Sequence, residues 1–232
     1  MIPISDANPS TNKATVTISL ISICIFVYIF LTPGDNSFGE YLYKYAAIPC
    51  EVLNNSPLTD SQLWLNDCES AEGETIFDAK NIIFSILYSP LLHSGFLHLL
   101  GNIWSLWIFG DNVEDVLGKT KTIVFILLTA ILSIFGHTLL NPTSTIPIVG
   151  ASGIVSAFMG AYLYMFPNAR ILAFLFIPFW MPVTIKAKTF MTFWIIAQLA
   201  LTFRITNISW EAHLFGFITG YLIVRYLFKL NR

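Results

Sequence analysis

The sequence predicts an all-α membrane protein folded as a bundle of six transmembrane helices. Three observations predict it. The chain is 55% hydrophobic and only 11% charged, with a mean hydropathy of +0.69, whereas a soluble domain carries about 25% charged residues. Its apolar residues come in charge-free runs, and about 20 such residues per helix cross a bilayer. The runs are parted by charges or by prolines, which stop helix propagation. The same composition excludes a water-soluble globule, which needs more charge on its surface, and excludes disorder. Lys and Arg number 12 against 14 Asp and Glu, for a net charge of −2. No basic stripe appears, so nucleic acid is not an expected partner and the lipid bilayer is.

The elements follow in order. Residues 1–13 are a polar segment expected in the cytoplasm. Residues 14–31 form span 1, retained because no small-residue cleavage signal follows it. A polar, acidic loop fills 33–80. Residues 81–110 contain no Asp, Glu, Lys or Arg but are broken at Ser89-Pro90 and Ser94-Gly95. This predicts a helix lying in the interface over 81–92 and span 2 over 96–116. Asp111, Glu114 and Asp115 at its far end read most simply as a solvated helix end. Spans 3 and 4 occupy 122–140 and 150–166, parted by Asn141-Pro142 through Pro147. Residues 171–182 are apolar but short and carry Pro178 and Pro182, which suits an interfacial or re-entrant segment. Span 5 is 190–203 and span 6 is 210–228. The chain thus divides into segment 1–13 and one membrane domain, 14–232, that includes loop 33–80.

Orientation follows from Lys and Arg in the short loops. With the N-terminus inside, nine lie inside (Lys13, Lys119, Lys121, Arg170, Lys186, Lys188, Arg225, Lys229, Arg232) and three outside (Lys44, Lys80, Arg204). Both termini are expected in the cytoplasm, with the cell inner membrane as the location. The loop bearing Cys50 and Cys68 then faces outward, where the two can form a disulfide or stay as free thiols.

Polar side chains in hydrocarbon are costly, so they have partners or a task. Four stand out: His98, Asn102, Ser152 and His213. His98 and Asn102 are four residues apart and share a helix face. Spans 2, 4 and 6 run in one direction and carry these residues early, so all four lie at one depth towards the outer side. An extra span at 171–182 would put His213 on the opposite side from Ser152. Gly153, Ala157 and Gly160 in span 4, and Gly216 and Gly220 in span 6, let two backbones approach closely. That approach can bring His213 within reach of Ser152 Oγ.

This set fits acyl transfer. A serine hydroxyl is a weak nucleophile that needs a base, and histidine takes a proton and returns it to the leaving amine. No intramembrane carboxylate is placed to orient the imidazole. Glu211, two residues from His213, points elsewhere on a helix, so a dyad is expected. His98, the Asn102 amide and the Ser152 backbone N–H can serve the oxyanion. His93 reads as structural, His137 as an interface residue, and Trp104, Trp107 and Trp210 as packing or belt residues.

The motifs His93-Ser94-Gly95-Phe96-Leu97-His98-Leu99-Leu100-Gly101-Asn102, Gly150-Ala151-Ser152-Gly153 and Ala212-His213-Leu214-Phe215-Gly216 with Gly220 resemble those of the rhomboid intramembrane serine proteases. The resemblance covers 81–228. It implies a rhomboid-like bundle, a Ser152–His213 dyad, oxyanion donors at His98 and Asn102, and a water-filled cavity open to the outer side. It also implies transmembrane protein substrates of single span, and no metal or other cofactor. Two features depart from it. The external loop lacks the Trp-Arg pair of many members, and Ser156 stands where some carry a tyrosine against the catalytic histidine. The alternatives are an inactive rhomboid-like protein that binds membrane clients, and an ion transporter using His93, His98 and His213. The transporter calls for intramembrane carboxylates that the spans lack.

Overall fold

The computed structural model describes residues 1–70, 72–175, 181–202 and 209–229. The expectations for 176–180, Phe203, Arg204 and Arg232 lie outside the described residues. The elements are β1 (Ile2–Asp6), α1 (Thr15–Phe26, continued by a π turn, Val27–Leu31), α2 (Phe38–Tyr45), α3 (Pro49–Asn54), α4 (Asp60–Leu65) and α5 (Ile82–Tyr88, then a 3-10 turn, Ser89–Leu91). They continue with α6 (Phe96–Leu140), α7 (Ser152–Met165), β2 (Arg170–Leu175), β3 (Met181–Lys186), α8 (Ala187–Thr202) and α9 (Trp210–Leu222, continued by a π turn, Ile223–Leu227).

Among the described residues, α6 is the one helix long and apolar enough to cross a membrane by length and composition. It is two helical arms joined at Gly118, whose φ of 71° lies in the left-handed region that favours glycine. A Cβ on Gly150 would meet His98 of the first arm, and one on Gly153 would meet Ser133 of the second. On a straight helix those two contacts would be roughly 50 Å apart. The arms therefore fold back on each other, and both reach the start of α7.

Helices α7 and α9 form the centre of the bundle. A Cβ on Gly216 would collide with the Gly153 carbonyl, and one on Gly220 with that of Ala157. The contact advances four residues on each helix, so α7 and α9 run parallel. Below the seam, Phe109, Phe125, Phe158, Tyr162 and Phe190 fill the core with edge-on and tilted ring contacts.

Where the sequence predicts an interfacial or re-entrant segment over 171–182, the structure adds two strands to the otherwise helical bundle. These are β2 and β3, paired antiparallel from Arg170 opposite Lys186 to Leu175 opposite Met181. The physical signal is alternation: Ile171 and Ala173 are fully buried between more open neighbours. A hairpin leaves and returns at one end, in keeping with α9 running parallel to α7. Segment 1–13 is not merely a polar tail either. Its strand β1 pairs with β2 and completes a three-stranded sheet in the order β1-β2-β3. Trp104 Nε1 donates to the Pro3 carbonyl at 2.7 Å, and Asn112 and Tyr162 donate to the Asp6 carboxylate. Burial raises the Asp6 carboxyl above its ordinary value, and the Tyr162 hydrogen bond opposes that.

The acidic cluster is a second correction. Glu114 is buried and accepts from the backbone N–H groups of Val16 and Thr17 and from Thr17 Oγ1. The N-cap of α1 is Ala14, which has no capping oxygen, so Glu114 satisfies the free N–H groups from another helix. Asp115 holds Thr11 and Asn12, and Asp111 takes the Ser10 hydroxyl.

Loop 33–80 is a folded lobe rather than a strand of coil. Helix α4 opens with a capping box between Thr59 and Gln62. Cys50 and Cys68 form a disulfide. Glu51 and Lys80 make a buried ion pair at 2.5 Å. Burial pushes the Glu51 carboxyl up and the Lys80 ammonium down, and each partner's charge opposes the shift of the other. Leu58 N–H donates to Glu51 and Lys80 donates to the Tyr43 carbonyl, so neither charge relies on its partner alone. The lobe is pinned to the segment before α7 by an Ala47–Ile148 bridge and by Cys50 N–H to Ser144 O. Replacing Cys50 and Cys68 together by alanine is expected to loosen the lobe by roughly 3 kcal/mol, the scale for closing a loop of this length. Limited proteolysis should then cut within 50–68 faster, with the helices of the bundle still protected.

Candidate active site

The site forms where α7 begins. Gly150 has a φ of 109°, and a Cβ there would stand 2.5 Å from His98 Nε2 and 3.6 Å from Asn102 Nδ2. Only glycine combines that conformation with so close an approach. It sets His98 and Asn102 of α6 against the backbone two residues before Ser152. Ser89 fixes this turn by accepting from Gly150 N–H through its carbonyl and from Ala47 N–H through its Oγ.

The hydrogen bonds around His98 set its tautomer. Ser94 N–H is directed at His98 Nδ1 at 3.5 Å, and Ser94 Oγ lies 3.0 Å from it. A backbone N–H only donates, so Nδ1 accepts, and the proton of the neutral ring sits on Nε2, the atom facing Gly150. Asn102 Nδ2 is buried and has no hydrogen-bond partner among the described residues. Two donors, one of them unsatisfied, thus converge near the start of α7.

Ser152 is the first residue of α7, and its carbonyl accepts from Ser156 Oγ at 2.6 Å. Ser156 therefore turns onto its own helix and does not reach the imidazole of His213. That imidazole lies on the first turn of α9. Its Nδ1 is 2.8 Å from Gln198 Oε1 of α8, and its ring lies 6.1 Å from that of Trp194. Parallel packing of α7 on α9 brings Ser152 and His213 to one level of the seam, but no hydrogen bond joins them in this structure. Catalytic hydrogen bonds often tighten only in the substrate complex. A small cleft at this level is lined by Ser89, Ser133, Gly150, Ser152, Ser209 and Ala212.

The neighbouring residues sort as follows. Glu211 turns away from His213 and meets His137 Nδ1 at 3.1 Å. His93 is fully buried, lies edge-on to His98, and approaches the Leu91 carbonyl through Nδ1. Among the described residues, no group of three or more His, Cys, Asp or Glu side chains is placed to hold a metal ion. Sequence reasoning missed Gln198. Its signal was available: it is the one amide between Lys188 and Arg204, in a run without Asp, Glu, Lys, Arg or His.

A rhomboid domain profile matches residues 80–230. The chain belongs to the rhomboid family. Rhomboids are helical integral membrane proteins, and the described bundle agrees with that class. The chain is 33% identical over 135 residues to YdcA of Bacillus subtilis strain 168, covering 57% of this chain and 61% of YdcA. It is 32% identical over 150 residues to the mitochondrial Rhomboid protein 1 of Saccharomyces cerevisiae, covering 62% and 42%. It is 27% identical over 146 residues to GlpG of Yersinia pestis strain Pestoides F, covering 62% and 41%. The matches span less than two thirds of the length of each of these rhomboids. YdcA and GlpG carry the words rhomboid protease in their names.

Proposed function

We propose that the chain is an intramembrane serine endopeptidase acting on single-span membrane proteins, with Ser152 as nucleophile and His213 as base. The observation that carries the reading is the glycine seam between parallel α7 and α9, which sets Ser152 and His213 at one level, beside His98 and Asn102. In the first step, Ser152 Oγ forms a bond to the peptide carbonyl carbon as its proton passes to His213 Nε2. The His98 N–H, the Asn102 amide and the Ser152 N–H face the oxyanion. The C–N bond then breaks, and the proton goes from the imidazole to the leaving amine. Water, deprotonated by the same imidazole, releases the acyl group. The loss of one oxyanion donor in such a site lowers turnover by about 10²–10³.

The reading includes six spans with both termini in the cytoplasm, the lobe outside and the bundle in the cell inner membrane. The lobe disulfide supports that side, since such bonds persist in oxidising compartments. The rival reading is a rhomboid-like protein that binds clients without cutting them. A panel of single-span clients incubated with the purified chain separates the two. Wild type is expected to release fragments of at least one client, and Ser152→Ala to release none while still co-purifying with it. Fragments of equal yield from both forms would sink the assignment of Ser152. Client capture with no fragment from either would favour the rival.

A further inference from the structure

We propose that Gln198 is the positioning residue for the catalytic base, holding His213 from a third helix; this rests on the protease reading above. The geometry comes first. Gln198 Oε1 lies 2.8 Å from His213 Nδ1. An amide oxygen only accepts, so Nδ1 carries the hydrogen of the neutral ring and Nε2 keeps its lone pair. Nε2 is the nitrogen that must be bare to take a proton from Ser152.

A second contact on the same helix face supports this. Trp194 and Gln198 are one turn apart on α8, as His213 and Phe217 are on α9. The Trp194 ring stacks on Phe217 at 6.1 Å and lies 6.1 Å from the His213 ring. The indole limits where the imidazole can lie, and the amide fixes its rotation about that plane. These two groups take the place of the orienting carboxylate that the sequence lacks and of an aromatic neighbour at Ser156. The other candidates near the ring are engaged elsewhere: Glu211 with His137, and Ser156 with the Ser152 carbonyl.

Gln198 sits on α8, whose outer face shows Phe193, Ile196 and Leu199 exposed. The base is thus oriented from a helix separate from the α7–α9 seam that carries the dyad. A shift of α8 away from α9 would release the imidazole without disturbing that seam.

The test uses the full chain in bilayers, a serine-directed fluorophosphonate, and ¹⁵N NMR of the histidine rings. Gln198→Leu keeps the volume and suits an apolar helix but has no acceptor. Gln198→Glu keeps an acceptor oxygen in place. Expected results are a labelling rate about tenfold lower in Gln198→Leu, the scale of one lost hydrogen bond, and within about threefold of wild type in Gln198→Glu. The probe concentration for half-maximal rate should not move, and the His213 ring nitrogens should shift from the Nδ1–H form towards a mixture in Gln198→Leu. A Gln198→Leu variant with wild-type rate and ring shifts would overturn the proposal. So would equal slowing in both variants with a matched fall in melting temperature, the mark of a packing role. If wild type resists the probe, the protease reading fails and takes this assignment with it. A labelled wild type beside an unaffected Gln198→Leu removes this assignment alone.

Discussion

His213→Ala is expected to lower fluorophosphonate labelling of Ser152 by at least about 10³-fold, towards the background rate. General-base help alone is worth about 10²–10⁴, and a nucleophile and its base act as a unit, so losing either removes most of the effect. The measurement is the second-order labelling rate of the bilayer-embedded chain, with Ser152→Ala as the blank. The substitution also removes the His213 Nδ1 contact of the half-buried Gln198 amide. Melting temperature must therefore be read beside the rate. If labelling persists in a folded His213→Ala chain, Ser152 is activated by something else. Among the described residues, His98 is then the nearest alternative, because its Nε2 also faces the start of α7. His98 would have to accept a proton where its tautomer offers one, which is why His213 is the stronger assignment.

How far the sequence revealed the fold depended on the kind of signal each element carried. Apolar runs parted by charges or prolines located span 1, span 4 and span 6 to within a few residues, and spans 2 and 3 as the two arms that meet at Gly118, because hydrocarbon burial is a long, additive signal. The glycine spacing showed which helices touch, because only small residues let backbones meet. The strands within 170–186 are hard to see in the sequence because they are short and apolar and β3 contains Pro182, a pattern that also suits an interfacial segment. Only the alternation at Ile171 and Ala173 distinguishes them, and only the partner strand β1 makes that alternation useful. Glu114 was read as solvated because a carboxylate at a helix end usually is. Its partners lie 97 and 98 residues away in sequence, and no local pattern shows them. Gln198 is the opposite case: its local signal, a lone amide in an uncharged run, is clear, but an amide is a less obvious orienting group for an imidazole than a carboxylate. An amide oxygen does the same work without placing a charge in the bilayer.

Gly216→Val should have a large structural effect on the bundle. A Cβ at 216 would collide with the carbonyl oxygen of Gly153, which is backbone and cannot rotate aside, and valine adds two methyl groups beyond it. Overpacking in a filled interior costs about 1–3 kcal/mol where side chains can yield. Here no side chain can, so a loss of at least about 3 kcal/mol is expected. The helices must then separate or slide. Ser152 adjoins Gly153, and His213 lies one turn before Gly216, so either movement parts the alcohol from the imidazole. Labelling of Ser152 should fall by about 10²-fold even in chains that remain folded, the scale of a misplacement of about 1 Å. Gly101→Ala is the control: nothing lies within 4 Å of a Cβ there, and alanine favours the helix. Its melting temperature should equal or exceed that of wild type. A Gly216→Val chain with unchanged melting temperature and labelling rate would mean that α7 and α9 do not meet at this seam. The level shared by Ser152 and His213 would then have no physical basis.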